Sequence, residues 1–152
     1  MPDLTAFADE HVRERVLRLP PRAVRELLTD CGIQDKLLSE SVERLVHALA
    51  DETRMDWVRV SGETRLRDLL FVGKEVVPPS LYKSWRRSRF GDYMECFPYS
   101  IMHVVETLSA KSKWRSAWAA LPEPPKNEEE WLNLIMAMTW CEFLRFFGEL
   151  VE

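Results

Sequence analysis

Between residues 82 and 90 the chain reads Tyr82-Lys83-Ser84-Trp85-Arg86-Arg87-Ser88-Arg89-Phe90, four cations interleaved with three aromatic rings. Ammonium and guanidinium groups neutralise phosphates and flat rings stack on bases, so this pattern suits nucleic acid. The same residue types anchor protein interfaces, where Trp, Tyr and Arg carry much of the binding energy. A weaker copy follows at Lys111-Ser112-Lys113-Trp114-Arg115, with Trp118 beyond it. If the two segments share a face, they form a basic groove. The leading expectation is a protein partner with an acidic surface, met by Tyr82, Lys83, Trp85, Arg86, Arg87, Arg89, Phe90, Lys111, Lys113, Trp114 and Arg115. A nucleic acid contacted by the same residues is the alternative. The bland reading is a solvated helix whose rings face the core.

Other chemistry is sparse. Phosphate-cradling loops need clustered glycines, because only backbone without a Cβ approaches so closely. The five glycines, Gly32, Gly62, Gly73, Gly91 and Gly148, are never closer than 11 positions. That spacing excludes the common nucleotide-binding loops and the nucleophile elbow. None of the six lysines has an acidic residue two positions before it: those positions hold Gln34, Val72, Leu81, Ser109, Lys111 and Pro124. Glu43, His47 and Asp51, at i, i+4 and i+8, would line one side of a helix and resemble a metal or acid–base stripe. Such spacing is equally ordinary for a solvated helix edge, which is the preferred reading. Cys141 sits in the most apolar stretch, where thiols are usually inert packing groups. No catalytic residue, metal site or cofactor is therefore expected. The chain reads as a non-catalytic binding module, such as a small inhibitor, immunity factor or accessory subunit.

The 152 residues carry a net charge of −4, unevenly spread. Residues 1–73 hold 11 basic and 14 acidic side chains, residues 74–118 hold 8 and 4, and residues 119–152 hold 2 and 7. A basic middle between acidic ends bears on partners more than on fold. Cys31, Cys96 and Cys141 are odd in number and widely spaced, which argues against a disulfide framework and for a reducing compartment. The start, Met1-Pro2-Asp3-Leu4 with Asp9 and Glu10 following, lacks the basic and apolar pattern of a signal peptide. A cytoplasmic location is expected.

The elements that must position these residues read as helices. Apolar spacing predicts helices over Leu4–Leu19, from Pro21 to Gly32, and from about Ser39 to Thr53 with Val42, Leu45, Val46 and Leu49 on one face. A helix-turn-helix over the last two is disfavoured, because Asp35, Glu40 and Glu43 would face a phosphate backbone. Trp57-Val58-Arg59-Val60 followed by Ser61-Gly62 predicts a short β-hairpin near residues 57–66. Leu66, Leu69 and Leu70 restart a helix, and Val77-Pro78-Pro79-Ser80 is a candidate hinge between lobes 1–76 and 80–152. Beyond it, a helix from Ser80 to about Gly91 and another with Ile101, Val104, Val105 and Leu108 are expected. A break near Ser109–Ser112 follows, with Ser112 as a new cap, because Trp114, Trp118 and Leu121 leave the earlier stripe. After Leu121-Pro122-Glu123-Pro124-Pro125, Asn127 caps a single helix running towards the C-terminus, apolar nearly all round from Trp131 to Leu150. Asn133, Thr139, Glu142 and Arg145 interrupt it, so a core helix, or one shared with a second copy, is preferred to a membrane span. The expected architecture is all-α, one domain of about seven helices.

Overall fold

The computed structural model describes residues 4–70, 79–80, 97–109 and 111–151. The fold is all-α. Among the described residues the helices are α1 (Leu4–Leu17), α2 (Val24–Asp30), α3 (Lys36–Thr53), α4 (Leu66–Leu70), α5 (Phe97–Leu108), α6 (Lys111–Ala119), α7 (Glu128–Ala137) and α8 (Trp140–Gly148), with one 3-10 turn at Trp57–Arg59. The Val77–Ser80 hinge lies mostly outside the described residues, and the helix expected over Ser80–Gly91 lies outside them beyond Ser80.

Helix α3 is the centre of the molecule, packed against both α5 and α8. It starts where Asp35 accepts a hydrogen bond from the Leu38 N–H at 2.8 Å, earlier than the apolar spacing alone suggested. It ends where Arg54 turns left-handed, with φ of 56°. Its expected face, Val42, Leu45, Val46 and Leu49, is buried. At the crossing with α8, a Cβ added to Gly148 would lie 2.7 Å from Val42 Cγ2, so the glycine sets how closely the helices approach. Gly148→Ala is expected to lower stability by about 1 kcal/mol, the overpacking outweighing the gain in helix propensity. The urea midpoint checks this.

The core of this bundle is aromatic. Trp57 and Trp140 pack at a tilt with centroids 4.9 Å apart, Trp140 stacks on Phe143 at 5.6 Å, and Phe143 meets Phe147 at 4.8 Å. The Thr53 hydroxyl links this core to α3. It donates to the Leu49 carbonyl at 2.6 Å and accepts from the Trp57 indole N–H at 2.9 Å.

Three expectations are corrected. The hairpin over residues 57–66 does not form. Arg22 donates to the carbonyls of Val58 and Val60, both at 2.6 Å, and so occupies acceptors that a strand ladder would use. Residues 62–66 pair instead with the α7–α8 junction: Leu66 N–H donates to the Met138 carbonyl at 3.0 Å, and the Trp140 and Cys141 N–H groups donate to Thr64 and Gly62 at 2.8 and 3.0 Å. That pairing is also why the expected single C-terminal helix is two. Met138 and Thr139 are extended, and the Thr139 hydroxyl accepts from the Glu142 N–H at 3.1 Å to start α8 afresh. Nor is this region apolar all round, since Asn133, Glu142, Arg145 and Glu149 are exposed. Phe143, Leu144 and Phe147 are buried within the chain. No helix among the described residues is long and apolar enough to cross a membrane.

The third correction concerns the cysteines. Cys31, at the end of α2, and Cys141, in the first turn of α8, form a disulfide with Cα atoms 5.1 Å apart and 110 positions between them in sequence. An odd count and wide spacing hid this pair, because pairing is decided by distance in space. Cys96 lies outside the described residues. Arg145 donates to the Cys31 carbonyl through both Nε, at 3.0 Å, and Nη2.

Candidate functional site

Five arginines of the amino-terminal half, Arg22 among them, hold the fold together through backbone carbonyls. Arg13 Nε donates to the Thr53 carbonyl at 3.1 Å, and its guanidinium lies over the Phe97 ring. Arg15 reaches the Leu69 and Asp68 carbonyls, and Arg59 reaches those of Leu17 and Leu19. Arg65 donates to Ala137 across 72 positions at 2.7 Å. A planar guanidinium with five donors suits carbonyls stranded at helix ends, so these cations act as internal clamps. They are correspondingly less suited to recruiting a partner.

Of the expected contact residues, Tyr82, Lys83, Trp85, Arg86, Arg87, Arg89 and Phe90 lie outside the described residues. Lys111, Lys113, Trp114 and Arg115 fall on α6, whose nine residues include no acid. Its expected separation from α5 is present, although the helix begins at Lys111, so Ser112 is inside it and not its cap. Lys113 and Arg115 are exposed. Arg115 and Trp118, at i and i+3, are neighbours on the helix surface.

Trp118 behaves differently from the cations. It is half-buried, 5.6 Å from Trp131 and 5.7 Å from Phe146 by ring centroids, and it meets Phe147 edge-on. Helix α6 thus turns cations outward and packs Ala117 and Trp118 against the core.

Beside Trp118 an open cavity of about 470 Å³ separates α6 from α7. Trp118 and Trp131 form its aromatic walls, Met102 and Glu106 of α5 contribute one side, and Pro125, Lys126 and Asn127 close the other. The local sequence explains this placement. Pro124 and Pro125 stiffen the connector, and Asn127 caps α7 by accepting from the Glu130 N–H at 2.9 Å. The Glu130 carboxylate in turn accepts from the Lys126 N–H at 2.8 Å. These caps hold Lys126 at a fixed place on the rim. A neighbouring cavity of about 690 Å³ shares Pro125 and Lys126 and adds Glu123, Pro124, Glu130, Asn133 and Leu134. A concave, largely apolar site with a few polar groups at its mouth is the usual form of a ligand or anchor pocket.

This cavity was not anticipated from the sequence. The only signals for it were the abundance of tryptophan and the stiff proline connector between Trp118 and Trp131. Of the Glu43, His47 and Asp51 stripe, His47 and Asp51 are exposed and Glu43 is half-buried. Among the described residues, no group of three His, Cys, Asp or Glu side chains is placed to hold a metal ion. The chain matches no family model, and no curated protein or solved structure shows significant similarity to it.

Proposed function

We propose that this protein is a non-catalytic protein-binding module, of the kind represented by small inhibitors, immunity factors and accessory subunits, whose partner brings an acidic surface to α6. The observation that carries this reading is the division of α6: Lys113 and Arg115 face solvent while Trp118, three positions beyond Arg115, lines an open cavity. Exposed cations steer an acidic partner and set its register, and an aromatic-walled cavity supplies desolvated contact. The alternative, a nucleic-acid-binding accessory subunit, rests on the same cations. It is less favoured because base stacking needs open ring faces, whereas Trp118 is packed among Trp131, Phe146 and Phe147.

The test reverses two exposed charges. Lys113→Glu with Arg115→Glu is expected to weaken capture of a nuclease-resistant protein partner about ten-fold or more, with helicity and melting temperature unchanged. Unchanged capture would overturn the reading. Partner loss on nuclease treatment of the wild-type protein would transfer the face to nucleic acid.

The compartment follows from the thiol state in cells. Alkylation of both Cys31 and Cys141 places the protein in a reducing compartment such as the cytosol, and protection of both places it where disulfides persist.

A further inference from the structure

We propose that the Cys31–Cys141 disulfide is a thiol-exchange site: a dithiol reductant opens it in the folded protein, entering at Cys141, and frees the start of α8 from the end of α2. The site is independent of the protein-binding reading above. Cys31 is 4% exposed, whereas Cys141 is only partly buried, so an incoming thiolate meets the bond from the Cys141 side. Cys141 is the second residue of α8, whose start Thr139 caps, and the positive end of a helix favours a thiolate there. Arg145 stands one turn further along the same face of α8. Its guanidinium donates to the Cys31 carbonyl, which fixes a cation beside the pair. The neighbouring carboxylate, Asp30, is already held by the Gly62 N–H at 2.8 Å and by Arg22 at 3.2 Å. Partly exposed, electropositive surroundings of this kind distinguish reactive cysteines from inert ones, and a stabilised thiolate leaves readily.

The exchange balances in two steps. The first thiolate of the dithiol attacks Cys141 Sγ, forms a mixed disulfide there and expels Cys31 as a thiolate, which takes up a proton. The second thiol of the reagent gives up its proton and attacks the reagent sulfur of that mixed disulfide. Cys141 leaves as a thiolate, and the reagent closes into a cyclic disulfide. The protein gains two electrons and two protons, and the reagent loses both. A monothiol stalls after the first step, because Cys31, kept beside the mixed disulfide by the fold, returns to expel it. Two free thiols need more room than a bonded pair, and the Gly62 backbone lies against both sulfurs. The separation therefore falls on α2 and α8.

The test is the reduction of the full chain by dithiothreitol in native buffer, quenched by alkylation and read by peptide mass. The rate is expected to rise in proportion to dithiothreitol and to stay unchanged in about 1 M urea. Helicity should persist in the reduced chain, and oxidised glutathione should restore the bond. Reduced glutathione at the same thiol concentration should open about ten-fold less of it, with the acid-trapped adduct on Cys141.

A rate that climbs steeply with urea, or that ignores the dithiol concentration, would mean that the bond opens only after the chain unfolds, and it would overturn the proposal. Loss of helicity on reduction would overturn it too, because the bond would then be a staple and not an exchange site. A glutathione adduct on Cys31 would overturn entry at Cys141. Equal opening by glutathione and dithiothreitol would overturn the requirement for a dithiol.

Discussion

Cys31→Ala combined with Cys141→Ala is expected to lower the unfolding free energy by about 4–5 kcal/mol, the chain-entropy value for a cross-link closing a loop of this length. The bond spans 110 positions, from the end of α2 to the start of α8, and so restricts most of the unfolded chain. For a domain of this size the melting temperature should fall on the order of 10 °C. Thiol reduction of the wild-type protein should produce a similar fall, and it should leave the double variant unaffected. Urea unfolding with and without reductant checks both statements. A variant as stable as the oxidised wild-type protein would show that the fold does not depend on this cross-link.

The second large effect is coupled to the first. Gly62 lies against the disulfide, and a Cβ built there would overlap Cys141 Sγ while standing 3.1 Å from Asp30 Oδ2 and 3.2 Å from Cys31 Sγ. Its backbone cannot easily retreat. The Gly62 N–H donates to Asp30 Oδ2 at 2.8 Å, its carbonyl accepts from the Cys141 N–H at 3.0 Å, and Arg22 holds the same Asp30 oxygen at 3.2 Å. Gly62→Ala is therefore expected to cost about 3 kcal/mol, at the upper end for overpacking. Removing the sulfur should relieve most of the clash. In the Cys141→Ala background the same substitution should cost only about 1 kcal/mol, a coupling of about 2 kcal/mol that a double-mutant cycle measures. Equal costs in the two backgrounds would show that the glycine is needed for its backbone and not for the space beside the sulfur.

Much of the helical layout was legible in the residues. The stripe Val42, Leu45, Val46 and Leu49 placed α3, and Ile101, Val104 and Val105 placed α5, because burying one face of a helix requires that period. Asn127 announced the start of α7 through its capping side chain, and the change of face after Leu108 announced the break before α6. These are local rules, satisfied by neighbours within a turn or two.

The candidate site was legible only in part. Lys113 and Arg115 were singled out from charge and composition, and they are exposed on α6. Trp118 was read as part of the same basic-aromatic surface, yet it packs into the core, since which side of a short helix is covered depends on elements distant in sequence. The cavity behind it draws on α5, α6, α7 and a proline connector at once. No single window of sequence contains it.

What the amino-acid sequence by itself determined is the all-α class, the main helices with their buried faces, and the excess of cations on α6. Only the tertiary structure decided the rest. It paired Cys31 with Cys141, turned six arginines inward onto distant carbonyls, and split the C-terminal helix at Met138–Thr139 by pairing it with residues 62–66. The physical reason is common to all three. A thiol, a guanidinium and an open backbone N–H or carbonyl group each find a partner by proximity in space, and proximity between residues tens of positions apart exists only after the helices have packed.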